Sequence, residues 1–377
     1  MNKKIRTLYI ASFIIIMCLP HVFFALLKNH VDTNNYENRP FNEAPIIGET
    51  SYTDFASKFE GFYNDHIPFR NQLITLNNYL GYFLFKSTTS EQVLIGKEGW
   101  LFIKDVNQGN EIANYTGHGL LDDELMNTLV TNVLANKEFI ESKGMEFVIF
   151  VSPNKSRVYS EYMPDYLGAP AEEYQLKQMI DYLEANTDVT IVYDYDEIMD
   201  AKEVLKAKDI PVYHKVDTHW NHVGGYAGAK SLLKYFGKDM PDIDELTITP
   251  IQNTEADLAG MLHMKGYFIN SEEDYEVTGF EQNDVTKEID DNGGNEVISY
   301  ISDAEDKRTV YICRDSFAKN MGEYVGTQFS RVYMRHHNTY TLDDLEAVNP
   351  DIFVFETAER GAFNALSTFD ARRVGEQ

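Results

Sequence analysis

Cysteine is scarce in this 377-residue chain, which has only Cys18 and Cys313. One sits in an apolar run near the N-terminus and the other ends a strand-like segment, so no disulfide is expected and the fold must hold by packing. Basic charge is short too: 33 Lys and Arg stand against 60 Asp and Glu, a net charge of −27. The first 31 residues hold four of the basic residues and no acid, so the remainder carries 29 against 60. A surface with that balance repels phosphates and gives no footing for nucleic acid. It equally disfavours docking of the acidic portion onto anionic lipid. His66, His118, His214, His222, His336 and His337 stand at no metal-ligand spacing, and no cysteine–histidine cluster accompanies them. The turn Asp290-Asp291-Asn292-Gly293-Gly294-Asn295 lacks the regular alternate ligands and closing glutamate of a calcium loop. Neither metal nor cofactor is expected, and no internal repeat is visible.

What the chain does have begins with an uncharged apolar run over residues 7–27. At about 1.5 Å per residue, that length spans the roughly 30 Å hydrocarbon core of a bilayer. Lys3, Lys4 and Arg6 precede it, so the positive-inside rule keeps the N-terminus cytoplasmic and exports the rest. A cleavable signal peptide is the rival reading, but the bulky Val22-Phe23-Phe24-Ala25-Leu26-Leu27 offers no small-x-small cleavage site. The expected organisation is a signal anchor or signal peptide over 1–28, a polar linker and entry strap over 29–53, and one main domain over 54–377. That places the domain outside the cell membrane, or in secreted form if the leader is removed.

Aromatic residues make up 13% of the chain, and most are expected in the core. Phe55, Phe59, Phe62 and Tyr63 recur at helical spacing, and 73–80 continues in the same manner. Residues 93–103 read as a β-hairpin around Lys97-Glu98-Gly99. Beyond it, apolar strand-like runs at 146–151, 189–193, 309–313, 331–334 and 351–355 alternate with amphipathic segments at 121–143, 171–185 and 223–236. Strands separated by helices of this length predict an α/β fold, with a mostly parallel sheet covered on both faces. Residues 270–306 are acidic and weakly periodic, and read as an exposed hairpin insertion.

Chemistry concentrates at two places. Asp217-Thr218-His219-Trp220-Asn221 pairs a carboxylate with an imidazole two residues on. Arg314-Asp315-Ser316-Phe317 puts a serine directly after the strand-like 309–313. A serine hydroxyl becomes a nucleophile when a histidine takes its proton and a carboxylate fixes that histidine's tautomer. Ligands of open parallel sheets gather beyond the carboxyl ends of strands, where Ser316 falls. The bland alternative is a serine that caps a helix and an Asp-x-His pair met by chance. His336-His337, also after a strand, is the rival base. On an extended segment the Asp217 and His219 side chains point the same way.

Several blocks in this order resemble the SGNH-hydrolase-like alginate O-acetylation proteins and their relatives in the DHHW family of Gram-positive bacteria. They are Glu37-Asn38-Arg39, Asp65-His66-Ile67-Pro68-Phe69-Arg70, Gly96-Lys97-Glu98-Gly99-Trp100-Leu101-Phe102, Pro153-Asn154-Lys155, the Asp217–Asn221 block with Gly224-Gly225-Tyr226-Ala227, and Asp315-Ser316-Phe317. The resemblance implies a three-layer α/β/α domain and an extracytoplasmic O-acetyltransferase acting on a secreted or cell-wall polysaccharide. Ser316, His219 and Asp217 would be catalytic. A membrane-bound O-acyltransferase would supply acetyl groups to a polysaccharide acceptor. Trp220, Asn221, Arg314, Asn154 and Lys155 are candidate substrate contacts, and Asn154 and Asn221 also candidate oxyanion donors beside the Ser316 N–H. Arg314 departs from the superfamily, which has glycine there. A polysaccharide acetyl esterase would use the same residues, and a non-catalytic scaffold of an export complex is the reading from a different class.

Overall fold

The computed structural model describes residues 3–34, 40–280, 285–292 and 295–375. Glu37-Asn38-Arg39 and Gly293-Gly294 lie outside the described residues. The chain forms two compact units, Met1–Ser90 with Ala259–Gly266, and Glu91–Leu258 with Tyr267–Gln377. The α/β domain thus begins near residue 91, and the aromatic helices after residue 54 belong to the first unit.

In that first unit, helix α1 (Lys3–Leu27) exposes its apolar side chains all round, and Lys4–His30 is long and apolar enough to cross a membrane. Helix α2 (Tyr52–Asp65) starts at Ser51, whose hydroxyl accepts the Asp54 N–H. Asp65 at its end is buried and accepts from the Asn42 N–H and Nδ2 at 2.8 and 2.7 Å. The Asp65-to-Arg70 block is therefore a structural knot leading into helix α3 (Arg70–Leu80).

In the second unit, a seven-stranded sheet comprises β1 (Glu146–Ser152), β2 (Thr190–Tyr193), β3 (Val285–Asn292), β4 (Asn295–Ser302), β5 (Thr309–Arg314), β6 (Arg331–His336) and β7 (Ile352–Ala358), in the order β2-β1-β7-β5-β6-β4-β3. The first five strands in that order are parallel; β4 and β3 add antiparallel. The acidic segment is thus a hairpin, as read, but it is no appendage. It completes the sheet edge, because Tyr300 of β4 is buried where Gly322 and Gly326 leave room for its ring.

Alternation along the central strands sorts the core into two layers. Val148, Phe150, Val310, Ile312 and Val354 face helices α6 (Tyr195–Leu205) and α7 (His222–Tyr235). Phe147, Ile149, Tyr311, Cys313 and Phe355 face α4 (Asp123–Ser142) and α5 (Gln175–Asn186). With both faces covered, period-2 alternation reads in sequence as continuous apolar runs. The result is a three-layer α/β/α domain whose parallel strands all end on one edge. Helix α6 went unread because Tyr195–Leu205 mixes acids into its apolar face.

Candidate active site

Two loops at that carboxyl edge carry the chemistry. The first folds back between Val212 and Asn221: Tyr213 bridges Trp220, and the His214 and Asn221 N–H groups donate to the His219 and Val212 carbonyls. The segment is not extended, as the sequence suggested. Asp217 curls back so that its Oδ1 accepts the His219 N–H at 3.0 Å, an Asx-type turn that sets the imidazole against the same carboxylate. Lys155, 3% exposed, donates from Nζ to the carbonyls of Asp217 and His214 at 2.6 and 3.1 Å and pins the tip from below.

The second loop follows β5. Asp315 Oδ1 accepts the Phe317 N–H at 2.8 Å and Oδ2 the Ala358 N–H at 2.7 Å, tying the turn to the end of β7. Ser316 is left half-buried at its apex, and its own N–H has no protein acceptor among the described residues. Trp220 knits the two loops together: its Nε1–H donates to the Phe317 carbonyl at 2.9 Å, and its carbonyl accepts from Asn320 Nδ2 at 3.2 Å. Helix α7 can press in behind because Gly224 and Gly225 have no side chain. A Cβ there would stand 2.2 Å from the Val212 and Asn320 carbonyl oxygens, respectively.

These constraints bring three sequence-predicted residues together. His219 Nδ1–H donates to Asp217 Oδ1 at 2.6 Å, and Nε2 accepts the Ser316 hydroxyl at 2.7 Å. Asp217 Oδ2 accepts the Asp257 N–H at 2.6 Å. Three donors on a buried carboxylate hold it ionised: burial alone would raise its pKa, but the His219 hydrogen bond and charge pull it far below the usual range. Burial works against the His219 cation, yet Asp217 prevails and raises its pKa.

Asp257 was not foreseen. Its carboxylate accepts from the Thr218 N–H and hydroxyl at 2.7 and 2.5 Å, and lies 3.9 Å from His219 Nδ1. Burial, and then the Asp217 charge, push it up to about 6. Forty residues separate it from Asp217, and no local pattern marks it. Asp217, His219 and Asp257 offer three ligand atoms within 4.8 Å of one another, the one such group among the described residues. The His219 ring and the Asp217 carboxylate are, however, already spent on each other.

Four expected substrate contacts need correction. Trp220 and Asn221 are fully buried, and Asn221 caps α7 by accepting from the Val223 and Gly224 N–H groups while its Nδ2 donates to the Pro211 carbonyl. Lys155 is spent on carbonyls. Arg314 is 1% exposed and runs toward β4, where it meets Glu296 at 3.2 Å. All four support the site from behind, and the Asn221 side chain is tied to backbone through both its oxygen and its nitrogen. Asn154 differs: its Oδ1 accepts the Arg360 N–H at 3.0 Å, leaving Nδ2 with no partner among the described residues. The rival base His337 lies flat on Phe355, and its Nε2–H donates to the Glu356 carbonyl, while burial lowers its pKa to about 4. Arg360, after β7, was also missed, although its place at the strand's carboxyl end was a usable signal.

The family model for the SGNH hydrolase-like domain of acetyltransferase AlgX matches residues 93–288. Among solved structures, a DHHW family protein from Eubacterium siraeum aligns at 14% identity with a TM-score of 0.55, covering 77% of this chain and 98% of its own. PatB1 of Bacillus cereus, solved with a sulfonyl adduct, aligns at 14% identity with a TM-score of 0.53, covering 74% of this chain and 99% of its own. At such identities these two likenesses speak for the fold alone. No curated protein matches the chain significantly.

Proposed function

Because this chain belongs to the AlgX family of SGNH hydrolase-like domains, we propose that it is an extracytoplasmic O-acetyltransferase modifying a secreted or cell-wall polysaccharide through an acetyl-Ser316 intermediate. The observation that carries the reading is the unbroken hydrogen-bond relay from Asp217 through His219 to Ser316. Ser316 Oγ attacks the acetyl carbonyl of the donor while its proton passes to His219 Nε2. The tetrahedral oxyanion is held by the Ser316 N–H and Asn154 Nδ2, two donors without protein acceptors among the described residues. His219 returns the proton to the departing group. It then deprotonates a glycan hydroxyl, which attacks the acetyl-serine, forms the sugar ester and restores Ser316.

Helix α1 anchors the enzyme beside a membrane-bound O-acyltransferase that supplies acetyl groups. Discharge of the same intermediate by water would make the protein an acetyl esterase. The His219 side chain is 22% exposed, so water has access and the glycan must be held in attack position to outcompete it.

The test uses the detergent-solubilised full chain. Wild type should hydrolyse p-nitrophenyl acetate and be labelled at Ser316 by a sulfonyl fluoride. Ser316→Ala should lose roughly three or more orders of magnitude in turnover, as triads do when a member is removed. Equal activity in the two proteins would leave the scaffold reading in place. With acetyl donor and polysaccharide both present, mass spectrometry should find sugar-bound acetyl; free acetate alone, with stripping of acetylated glycan, would select the esterase.

A further inference from the structure

We propose that Arg360, together with Arg373, forms an anion-binding subsite beside Ser316 that selects glycans bearing a carboxylate or phosphate near the hydroxyl to be acetylated. The proposal rests on the acetyl-transfer reading above. A cavity of about 430 Å³ borders the nucleophile turn at Asp315 and is lined by Arg360, Arg373, His337, Gln108 and Asn364 among others. Its size lies within the roughly 300–1,000 Å³ of small-ligand sites.

The Arg360 backbone is locked from two sides. Asn154 Oδ1 accepts its N–H, and Gly109 packs on its carbonyl so closely that a Cβ at Gly109 would stand 1.8 Å from that oxygen. Gly109 also has φ +100°, which glycine adopts at no steric cost. The guanidinium lies 5.3 Å from the centroid of the Phe317 ring, next in sequence to Ser316. Among the described residues it has no ion pair and no hydrogen-bond acceptor.

That vacancy is unusual in so acidic a chain. Buried arginines on the same side of the fold have carboxylates: Arg157 meets Glu359 at 3.3 Å and Arg314 meets Glu296 at 3.2 Å. Asp315, which lines the same cavity, and Glu111 are engaged elsewhere. Both Asp315 oxygens accept backbone N–H groups, and Glu111, which feels the Arg360 charge, accepts the Ser156 N–H and makes no ion pair with it. Arg373 donates to the Tyr340 and His337 carbonyls and, among the described residues, to no carboxylate. The cavity therefore holds two guanidiniums against one carboxylate that is already satisfied. A planar guanidinium held in place with free N–H groups suits bidentate binding of an oxyanion.

The experiment measures binding by calorimetry on the full-length Ser316→Ala protein, so it does not depend on turnover. The probes are a uronic acid tetramer, a glycerol phosphate tetramer and a neutral glucose tetramer. At least one anionic tetramer should bind tenfold or more tighter than the neutral one, and the preference should shrink as salt rises from about 0.05 to 0.5 M. A uronate preference assigns a carboxylate acceptor; a glycerol phosphate preference assigns a phosphate one. Adding Arg360→Gln should abolish the preference, and Arg360→Lys should restore part of it, with melting curves showing that each variant is folded. Equal binding of all three tetramers, or a preference that survives in a folded Arg360→Gln protein, overturns the proposal. Failure of the acetyl-transfer reading would show instead as wild-type Ser316 that resists sulfonylation, whatever the tetramers do.

Discussion

Asp217→Asn exchanges one oxygen for an NH₂ in a place where both oxygens already accept. Oδ1 takes the His219 N–H and Nδ1–H, and Oδ2 takes the Asp257 N–H. If the amide oxygen stays with His219, its NH₂ points at the Asp257 N–H, donor against donor. If the amide turns over, its NH₂ faces Nδ1 and drives the imidazole to the other tautomer. Nε2 then bears the hydrogen and can no longer take the serine proton. Either way a charge-assisted hydrogen bond worth about 1.5–3 kcal/mol is weakened or lost, which is roughly 10- to 150-fold in rate. The tautomer penalty comes in addition, and the same exchange in well-studied triads costs about 10⁴. We expect turnover of p-nitrophenyl acetate to fall about 10³- to 10⁴-fold at pH 8, with the KM far less affected. Sulfonyl fluoride labelling of Ser316 should slow in parallel. A buried unmatched donor also costs about 1–3 kcal/mol, so a modest loss of melting temperature should accompany it. An Asp217→Asn protein that is folded and turns over within about tenfold of wild type would refute the reasoning, because Asp217 would then be a loop fastener and nothing more.

Turnover in wild type should fall as pH drops through the His219 pKa, which Asp217 holds above its ordinary value, and a pH–rate profile should place that limb above about 6.5. The same titration acts on stability with opposite sign. A group whose pKa is raised on folding stabilises fully below its unfolded value and loses that contribution as pH rises through the folded one, so the His219 share of the melting temperature should decline where activity climbs. Lys155→Met removes the donor from the Asp217 and His214 carbonyls, so it should lower the melting temperature and reduce kcat more than it changes KM. Gly225→Ala puts a methyl 2.2 Å from the Asn320 carbonyl and should destabilise by about 1–3 kcal/mol or more, read by denaturant titration.

The central strands were legible because burial on both faces leaves an apolar run that few other elements produce. Phe147 to Val151 and Val310 to Cys313 alternate between the two cores, with nothing polar on either side. The three hydrogen-bonded residues of the proposed triad could be read from short blocks, since Asp217 and His219 share one loop and Ser316 follows a strand. What the blocks could not reveal was which neighbours touch substrate. Trp220, Asn221, Lys155 and Arg314 have side chains suited to sugars, but the same donors and rings suit fastening two loops, and burial decides between the uses. Asp257 and Arg360 arrive from distant segments through contacts that only the folded chain creates. The hairpin of β3 and β4 shows the converse error. Glu288 and Asp290 are exposed on the edge strand β3, where charge discourages further pairing, and composition alone made a sheet edge look like an insertion. On the proposed acetyl-transfer reading, the residues most open to selection by substrate are therefore those with spare hydrogen-bonding capacity at the carboxyl edge, Asn154 and Arg360, rather than those nearest Ser316 in sequence.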